Sequence, residues 1–298
     1  MGSGQRRATL KLRTSTFLTM ILISICVYFP GGASDAASTS VIPVGLAGHN
    51  GFPANRWKLV TSFSFPGTSI NTKQWAPNWR GDSNESITHG FQPIYDQNCF
   101  NPKNVVVANG ILTLHALAGS CIDSAGFKHP YSGGMVSSSV SGTYLYGYFE
   151  AKIFFPGGHC VTGDIPPKQM MCMNNHPAFW LTSASTDPGA DLVEIDIAEG
   201  LQGRLCHLTH FTAPGYRDPN VMHCSSVGPP AWHVYGAMWT PGIVRFYLDG
   251  KLIYTSKTPA RFNKPAYIIL NNAVPTHWRP VTPAGMKVAY VRVWNSVS

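Results

Sequence analysis

Apolar and polar residues alternate in short runs along most of this chain, and turn residues separate the runs. Alternation with period two is typical of half-buried β-strands, and Asn109-Gly110 and Asp249-Gly250 are signals for tight hairpins. No stretch of convincing length follows a helical period, so the pattern predicts an all-β sandwich of two sheets. The predicted strands are Trp57–Phe65, Asn104–Ala116, Gly134–Ser141, Tyr144–Phe155, Ala178–Thr182, Leu192–Glu199, Arg204–Thr212, His233–Thr240, Ile243–Leu248, Lys251–Tyr254, Tyr267–Ala273 and Lys287–Trp294.

One predicted strand carries three carboxylates within six residues. Glu194 and Asp196 point to one face of an ideal strand, while the apolar residues between them point to the other. Glu199 has the wrong parity, and a β-bulge near Ala198 would return it to the face of the other two acids. The sequence therefore predicts three acids on one polar face that is backed by a buried apolar face.

A solvated edge strand is the simpler interpretation of this stretch. Acids are depleted in strands, and like charges side by side repel one another. The whole chain has only 14 Asp and Glu in 298 residues, and three of them lie here. We therefore favour a functional site over a solvated face.

The first 36 residues have the organisation of an export signal. Four basic residues precede an apolar run at 17–29, and small residues follow it. A run of this length is short for a membrane span, and its flanks fit a cleaved signal peptide. Export by the twin-arginine pathway is one of the possible routes. We expect a signal at 1–36, a linker or N-terminal arm at 37–56, and one catalytic domain at 57–298. The mature protein is then secreted and has no membrane attachment.

Composition supports an ordered and turn-rich protein. Charged residues make up 12% of the chain, and there are 29 Gly and 23 Pro. Removing residues 1–36 takes away four basic residues and one acid, which lowers the net charge from +8 to +5. No basic run stands out, so we expect no nucleic-acid partner.

Six cysteines remain after the predicted cleavage, which is an even number in an exported chain. Sequence alone allows fifteen pairings of six cysteines. We predict that neighbours pair, as Cys99–Cys121, Cys160–Cys172 and Cys206–Cys224. A zinc site is the alternative, and the absence of close Cys-x-x-Cys spacing argues against it.

Crowded carboxylates are the apparatus of glycosidic bond cleavage. One must be ionised and another protonated, and mutual repulsion separates their pKa values. Trp180 and Trp278 could stack on sugar rings, although any single tryptophan is more often a core residue. A calcium loop of the EF-hand type and a Gly-x-Ser-x-Gly elbow are both missing from the sequence.

The stretch Glu194-Ile195-Asp196-Ile197-Ala198-Glu199 resembles the Glu-x-Asp-x-x-Glu signature of glycoside hydrolase family 16, the laminarinase and lichenase family, in its bulged form. The resemblance spans about residues 57–295 and includes further segments in the family's order. They are Gly147–Lys152, Pro177–Trp180, His233–Gly236, Phe246–Gly250, Ile268–Asn271 and Tyr290–Trp294. The resemblance implies a β-jelly-roll of two curved antiparallel sheets, similar to concanavalin, with a concave cleft.

The resemblance also implies roles for individual residues. Glu194 would be the nucleophile, Glu199 the acid/base and Asp196 the assisting acid, in a hydrolysis that retains configuration. Substrate binding would fall to Trp180 and His210, with Asn271 as support for the cleft, and His207 is the weaker alternative to His210. We add Trp278 to the substrate-binding group.

Departures from the family pattern affect the metal and the substrate. Many relatives have an Asp for calcium where this chain has Ala289, so we expect no metal and no cofactor. The stretch after Asn271 lacks the family's usual Gly-Gly-x-Trp, which affects the substrate subsites. The connection at 157–177 is longer than usual, and we expect this connection to border the cleft. We predict a monomeric endo-β-1,3-glucanase that acts on a β-glucan polysaccharide. The alternatives are a β-galactan or agar-type hydrolase, a transglycosylase, and a polysaccharide-binding protein without catalysis.

Overall fold

The alternating sequence runs form β-strands that belong to two curved sheets. The computed structural model describes residues 43–44, 57–79, 82–91, 94–157, 173–183, 190–219, 221–225, 231–278 and 280–297. The strands are β1 Trp57–Ser64, β2 Thr88–His89, β3 Asn98–Phe100, β4 Val105–Ala108, β5 Ile111–Ile122, β6 Lys128–Ser137, β7 Gly147–Phe154, β8 His176–Ser183, β9 Leu192–Leu201, β10 Arg204–Thr212, β11 Met222–Ser225, β12 Trp232–Thr240, β13 Ile243–Leu248, β14 Lys251–Lys257, β15 Ala266–Ala273 and β16 Ala284–Ser296. Two single turns of 3-10 helix, Pro102–Asn104 and Ser138–Val140, lie between strands.

The first sheet, here called the acid sheet, has the strand order β11-β10-β9-β8-β15-β6. The second, the back sheet, has the order β5-β16-β7-β12-β13-β14, and β1 and β4 pair with β16 and β5. Strand β5 connects the sheets, because its first half pairs with β16 and its second half with β6. The pairing is antiparallel except for the short parallel contact between β3 and β6. The predicted all-β sandwich of curved antiparallel sheets is confirmed.

The main core fills the space between the two sheets. Val193, Ile195 and Ile197 of β9 enter it from the acid sheet, and Phe149 and Phe246 enter it from the back sheet. Each is fully buried, and burying a side chain of this size stabilises the fold by about 1.5–3 kcal/mol. This apolar layer fixes which face of β9 is left for polar residues.

Both predicted hairpin turns are present. Asn109 and Gly110 have φ values of 52° and 76°, and they connect β4 to β5. Asp249 and Gly250 have φ values of 47° and 81°, and they connect β13 to β14. Two successive residues with positive φ are the requirement of a type I′ turn, which Asn-Gly and Asp-Gly meet at low cost.

Several strand boundaries differ from the prediction, and β5 and β6 are two examples. Strand β5 continues past Ala116 to Ile122, because its polar second half finds a partner in β6. Strand β6 begins at Lys128 and ends at Ser137, and the next residues form a 3-10 turn instead of further strand. The extension of β5 shows a tertiary partner overriding the local apolar pattern.

Two of the three predicted disulfides are present, Cys99–Cys121 and Cys206–Cys224. The third predicted pair, Cys160–Cys172, and most of the long 157–177 connection lie outside the described residues, as does the predicted signal segment. Within the predicted arm, Val44 is described, and its backbone N–H donates to Oε2 of Glu150 on β7 at 2.8 Å. Among the described residues, no helix has the length and apolar character needed to cross a bilayer.

Candidate active site

A β-bulge in β9 brings the three acids onto one face of the acid sheet. Against β8, Glu199 lies beside Ala178 and Asp196 beside Trp180, so β9 has one residue more than its partner in this interval. The same shift occurs against β10, where Ile197 and Ala198 lie opposite His207. The predicted bulge is confirmed, and both of its residues are buried in the core.

His207 holds the bulge from the core side. Its Nδ1–H donates to the carbonyl oxygen of Ile197 at 2.6 Å, and the side chain is fully buried. The pKa of His207 is lowered to about 4: burial is the largest cause, the hydrogen bond to Ile197 opposes it, and the nearby His223 adds a smaller lowering. His207 is therefore neutral at neutral pH and forms a hydrogen bond with the backbone of the bulge. His210, in contrast, faces the acids.

Glu194 and Asp196 occupy environments that disfavour two negative charges. The pKa of Glu194 is raised to about 7: burial is the largest cause, the charges of Glu199 and Asp218 act in the same direction, and His210 opposes them. Burial also raises the pKa of Asp196 well above its usual range, and the charges of Glu194 and Glu199 add to this effect. Both carboxyls therefore ionise less readily than free ones, and His210 favours the ionised form of Glu194.

His210 lies beside these two acids, on the neighbouring strand β10. It is the cross-strand neighbour of Glu194, and its Nε2 lies 3.9 Å from Oδ2 of Asp196. Its Nδ1 lies 3.1 Å from Oδ2 of Asp218, which also accepts the backbone N–H of Phe211 at 3.0 Å. Asp218, which sequence analysis missed, thus orients the His210 ring toward the acids.

Glu199 contacts a histidine that sequence analysis also missed. Oε1 of Glu199 lies 2.7 Å from Nε2 of His176, and Nδ1 of the same ring lies 3.0 Å from Oδ1 of the buried Asp96. His176 has the same strand parity as Trp180 on β8, which is a signal for this face. Asp96 lies in the segment before β3, and its distance of 80 residues from His176 gave no such signal.

The two carboxylates determine the charge of His176. Burial by itself would lower the pKa of the ring. The charge and hydrogen bond of Asp96, together with those of Glu199, outweigh burial and raise the pKa to about 10. His176 is therefore an imidazolium at neutral pH.

Trp180 and Asn271 form a buried pair next to the acids. The indole N–H of Trp180 donates to Oδ1 of Asn271 at 2.8 Å, and Nδ2 of Asn271 donates to the carbonyl oxygen of His176 at 3.1 Å. Asn271 is fully buried, so it supports Trp180 from behind and does not reach the open cleft. Trp180 keeps 7% of its surface exposed and lies beside Asp196.

Further aromatic rings surround this pair on the same face. Trp79 and Phe91 pack against Trp180 with ring centroids 6.4 and 5.8 Å away, and neither was singled out from the sequence. Trp278 lies edge-on to His176 at 5.9 Å, and its indole N–H donates to the carbonyl oxygen of Asn175 at 3.2 Å. The structure thus brings Trp278 to the Glu199 side of the site.

Among the described residues, Glu194, Asp196 and His210 form a group that could hold a cation. Their candidate ligand atoms all lie within 4.8 Å of one another. The same atoms are the acids of the motif and the histidine that faces them, so a cation there would compete with the acid chemistry. The arrangement as a whole offers two carboxyls with raised pKa values, Glu194 and Asp196, and a third, Glu199, that is hydrogen-bonded to an imidazolium.

Curated relatives of this chain are named as β-glycanases or as enzymes of β-glucans. The chain is 27% identical over 209 residues to the endo-1,3-1,4-beta-glycanase ExsH of Rhizobium meliloti, with 67% of this chain and 40% of the relative covered. It is 24% identical over 281 residues to a beta-glucanase of Rhodothermus marinus, with 82% and 87% covered. It spans about two fifths of the length of the first three curated relatives, at 40%, 41% and 38%.

Solved structures share the fold at lower identity. The endo-beta-1,3-glucanase of Pyrococcus furiosus superposes with a TM-score of 0.63 and 24% identity, covering 81% of this chain and 95% of that one. Porphyranase B of Zobellia galactanivorans gives 0.67 and 21%, covering 86% and 100%. The family described as Glycosyl hydrolases family 16 matches residues 95–291. Because this match spans more than half of the chain, the protein belongs to glycosyl hydrolase family 16.

Proposed function

We propose that this protein is a retaining endo-β-1,3-glucanase. The observation that carries the proposal is the bulge at Ile197 and Ala198, which places Glu194, Asp196 and Glu199 on one face beside Trp180. Two of these carboxyls have unlike partners, since Glu194 faces His210 and Glu199 is bonded to His176. Retaining glycosidases need this kind of division between a nucleophile and an acid.

In the first step, an ionised Glu194 attacks the anomeric carbon. The bond from that carbon to the glycosidic oxygen breaks, and Glu199 gives its proton to the departing oxygen. Asp196 stays protonated because its pKa is raised, so it adds no second negative charge beside the nucleophile. A glycosyl ester of Glu194 results.

In the second step, Glu199 acts as a base. It takes a proton from water, the water oxygen bonds to the anomeric carbon, and the bond to Glu194 breaks. Two inversions at the same carbon return the original configuration. If a sugar hydroxyl replaces water, the same site carries out transglycosylation.

The β-1,3-glucan substrate rests on the names of the relatives, three of which are glucanases or glycanases of 1,3-linked chains. A β-galactan or agar-type polymer is the alternative within the same chemistry. We further propose an exported, monomeric enzyme without nucleic-acid or membrane partners.

A polysaccharide-binding protein without catalysis is the alternative from another class. Sugar binding does not require two buried carboxyls with raised pKa values or a third that is bonded to an imidazolium. Such groups cost stability, and they are typical of catalytic sites.

The test is product release from laminarin, mixed-linkage glucan, agarose and a β-galactan by residues 37–298. Glu194→Gln and Glu199→Gln keep the shape of each side chain and remove its acid chemistry. We expect oligosaccharides from laminarin, and a loss of at least about 10³-fold in kcat for each variant, as expected when a nucleophile or acid is removed. Binding of laminarin by the wild type without any products from the four polymers would favour the binding protein.

A further inference from the structure

His176 lies between two carboxylates in a buried row of groups. Its ring nitrogens are 2.7 Å from Oε1 of Glu199 and 3.0 Å from Oδ1 of Asp96. The Asp96 side chain is fully buried, and the His176 and Glu199 side chains are 9% and 15% exposed. Little water reaches this row, so its charges act on one another with weak screening.

The hydrogen-bond inventory of the row determines where the protons lie. A carboxyl oxygen without a proton only accepts hydrogen bonds, and a histidine donates from both nitrogens only as the imidazolium. Asp96 needs a positive partner because it is buried, and the described residues offer it His176. His176 therefore donates from Nδ1 to Asp96 and from Nε2 to Glu199.

Among the described residues, no other charge acts on the ring. Phe91 lies 5.9 Å from the ring centroid on one side, and the edge-on Trp278 lies at 5.9 Å on another. Within this part of the chain, the titratable groups that face His176 are Asp96 from the segment before β3 and Glu199 from β9. Glu194 and Asp196 share the β9 face at a greater distance along the strand.

We propose that His176 is a positioning residue for the acid/base Glu199, and that Asp96 holds the ring in place. This inference rests on the proposed function. Nε2–H of His176 occupies Oε1, so Oε2 is the oxygen that carries the catalytic proton. When Oε2–H gives its proton to the glycosidic oxygen, the bond from carbon to that oxygen breaks. The imidazolium then stabilises the carboxylate that remains on Glu199.

The proposal makes His176 important only where proton donation is needed. A sugar is a poor leaving group and requires the proton of Glu199, whereas 2,4-dinitrophenolate leaves without one. Loss of the imidazolium should therefore slow the cleavage of a glucan linkage far more than the cleavage of an activated aryl glycoside. Replacing a residue that only supports the fold would instead lower kcat/KM by the same factor on both substrates.

The experiment compares kcat/KM on laminarin and on 2,4-dinitrophenyl β-laminaribioside for His176→Leu, His176→Gln and Asp96→Asn. For His176→Leu we expect roughly a 10²-fold loss on laminarin, within the range of general acid catalysis, and less than about 10-fold on the aryl substrate. His176→Gln keeps a donor near Oε1 without the charge and should lie between the wild type and His176→Leu. Asp96→Asn should show the same substrate dependence with a smaller loss.

The matched control is His129→Gln, which breaks a His–carboxylate pair of similar geometry between His129 and Asp123 in the β5–β6 hairpin. It should change neither rate. Equal losses on both substrates in folded His176 and Asp96 variants would overturn the positioning role. Failure of the wild type to cleave either substrate would instead overturn the proposed function, and the positioning role with it.

A nuclear magnetic resonance measurement tests the protonation state without substrate. The ¹⁵N signals of His176 should show both ring nitrogens protonated up to at least pH 8 in the wild type. In Asp96→Asn, the ring should lose a proton at lower pH. A neutral His176 ring at pH 7 in the wild type would contradict the proposal.

Discussion

At the scale of single residues, the acids differ because their neighbours differ. Glu194 has His210 as its cross-strand neighbour, and that histidine favours the ionised form. Asp196 is 4% exposed and lies between two other carboxyls, both of which raise its pKa. The motif's spacing alone treats the three acids alike, whereas the folded structure gives each of them different neighbours.

The pKa of Glu194 gives the first prediction, which is best tested in Glu199→Gln. This variant removes the acid, so an aryl glycoside with an acidic leaving group then requires only the ionised nucleophile. Since the pKa of Glu194 is about 7 in the intact site and the charge of Glu199 contributes to raising it, the variant's midpoint should lie somewhat below 7. We expect kcat/KM to rise along a single limb with increasing pH and then to level off.

The measurement is kcat/KM for 2,4-dinitrophenyl β-laminaribioside between pH 4 and pH 9. Lower pH protonates Glu194 and removes the attacking electron pair, so kcat/KM should fall as the pH is lowered. A rate that decreases as the pH rises, or one that stays level over the whole range, would be incompatible with Glu194 as nucleophile. Glu194→Gln serves as the control, because its kcat/KM should show no such rise with pH.

The sequence predicted the acids and His210, and missed His176, Asp96 and Asp218. Parity and one bulge were enough to place Glu194, Asp196 and Glu199 on one face, because these residues share one strand. His176 and Asp96 come from different segments, and only strand register brings them to Glu199. Contacts of this kind depend on which strands pair in the folded protein, and the local pattern of apolar and polar residues does not encode that pairing.

At the scale of elements, the bulge in β9 depends on a side chain from β10. His207 donates to the carbonyl oxygen of Ile197, one of the two bulge residues. The sequence analysis considered His207 only as the weaker alternative to a site histidine. The structure gives it a different task, which is to fix the backbone that returns Glu199 to the acid face.

The second prediction concerns this contact. His207→Leu should lower the free energy of unfolding by about 1–3 kcal/mol, because a buried carbonyl loses its donor. It should also lower kcat, since Glu199 is aligned through the bulge. His207→Gln retains a donor and is the matched variant. Denaturant unfolding and laminarin hydrolysis measure the two effects, and wild-type stability in His207→Leu would contradict this role.

The hairpins show where local sequence was sufficient. Asn109-Gly110 and Asp249-Gly250 determine their turns because both residues of each pair must have positive φ. The end of β5 was not predictable in this way. Its polar second half becomes a strand only because β6 lies beside it in the folded sheet.

At the scale of the whole molecule, two sheets around one apolar layer were predictable, while their connection through β5 was not. Alternation reports that one face of a strand is buried, and it says nothing about which strand lies next to it. The crossing of β5 from one sheet to the other was therefore visible only in the structure. The acid sheet keeps its polar face because the back sheet covers the opposite one.

The third prediction concerns the disulfide at the edge of the acid sheet. Cys206–Cys224 joins β10 to β11, and its partners are 18 residues apart. Replacing both with alanine should lower stability by about 3 kcal/mol, the value expected for a loop of this length. Activity at 25 °C should persist, because β9 and its bulge pair with β8 and β10 without β11.

Thermal unfolding of Cys206→Ala/Cys224→Ala, followed by circular dichroism, measures this loss. As a control, the wild type and the double variant should have similar melting temperatures when both are measured under reducing conditions. An unchanged melting temperature under oxidising conditions would show that the Cys206–Cys224 disulfide does not stabilise the fold. Loss of activity in a variant that remains folded would contradict the independence of the acids from this edge.

The most direct test of the account is the configuration of the first product. Proton nuclear magnetic resonance can follow laminarin hydrolysis by residues 37–298 and detect the reducing-end anomer before mutarotation. The proposed double displacement by Glu194 and Glu199 predicts that the β-anomer appears first. Initial release of the α-anomer would contradict Glu194 as nucleophile, and the absence of new reducing ends would contradict the proposed glucanase activity.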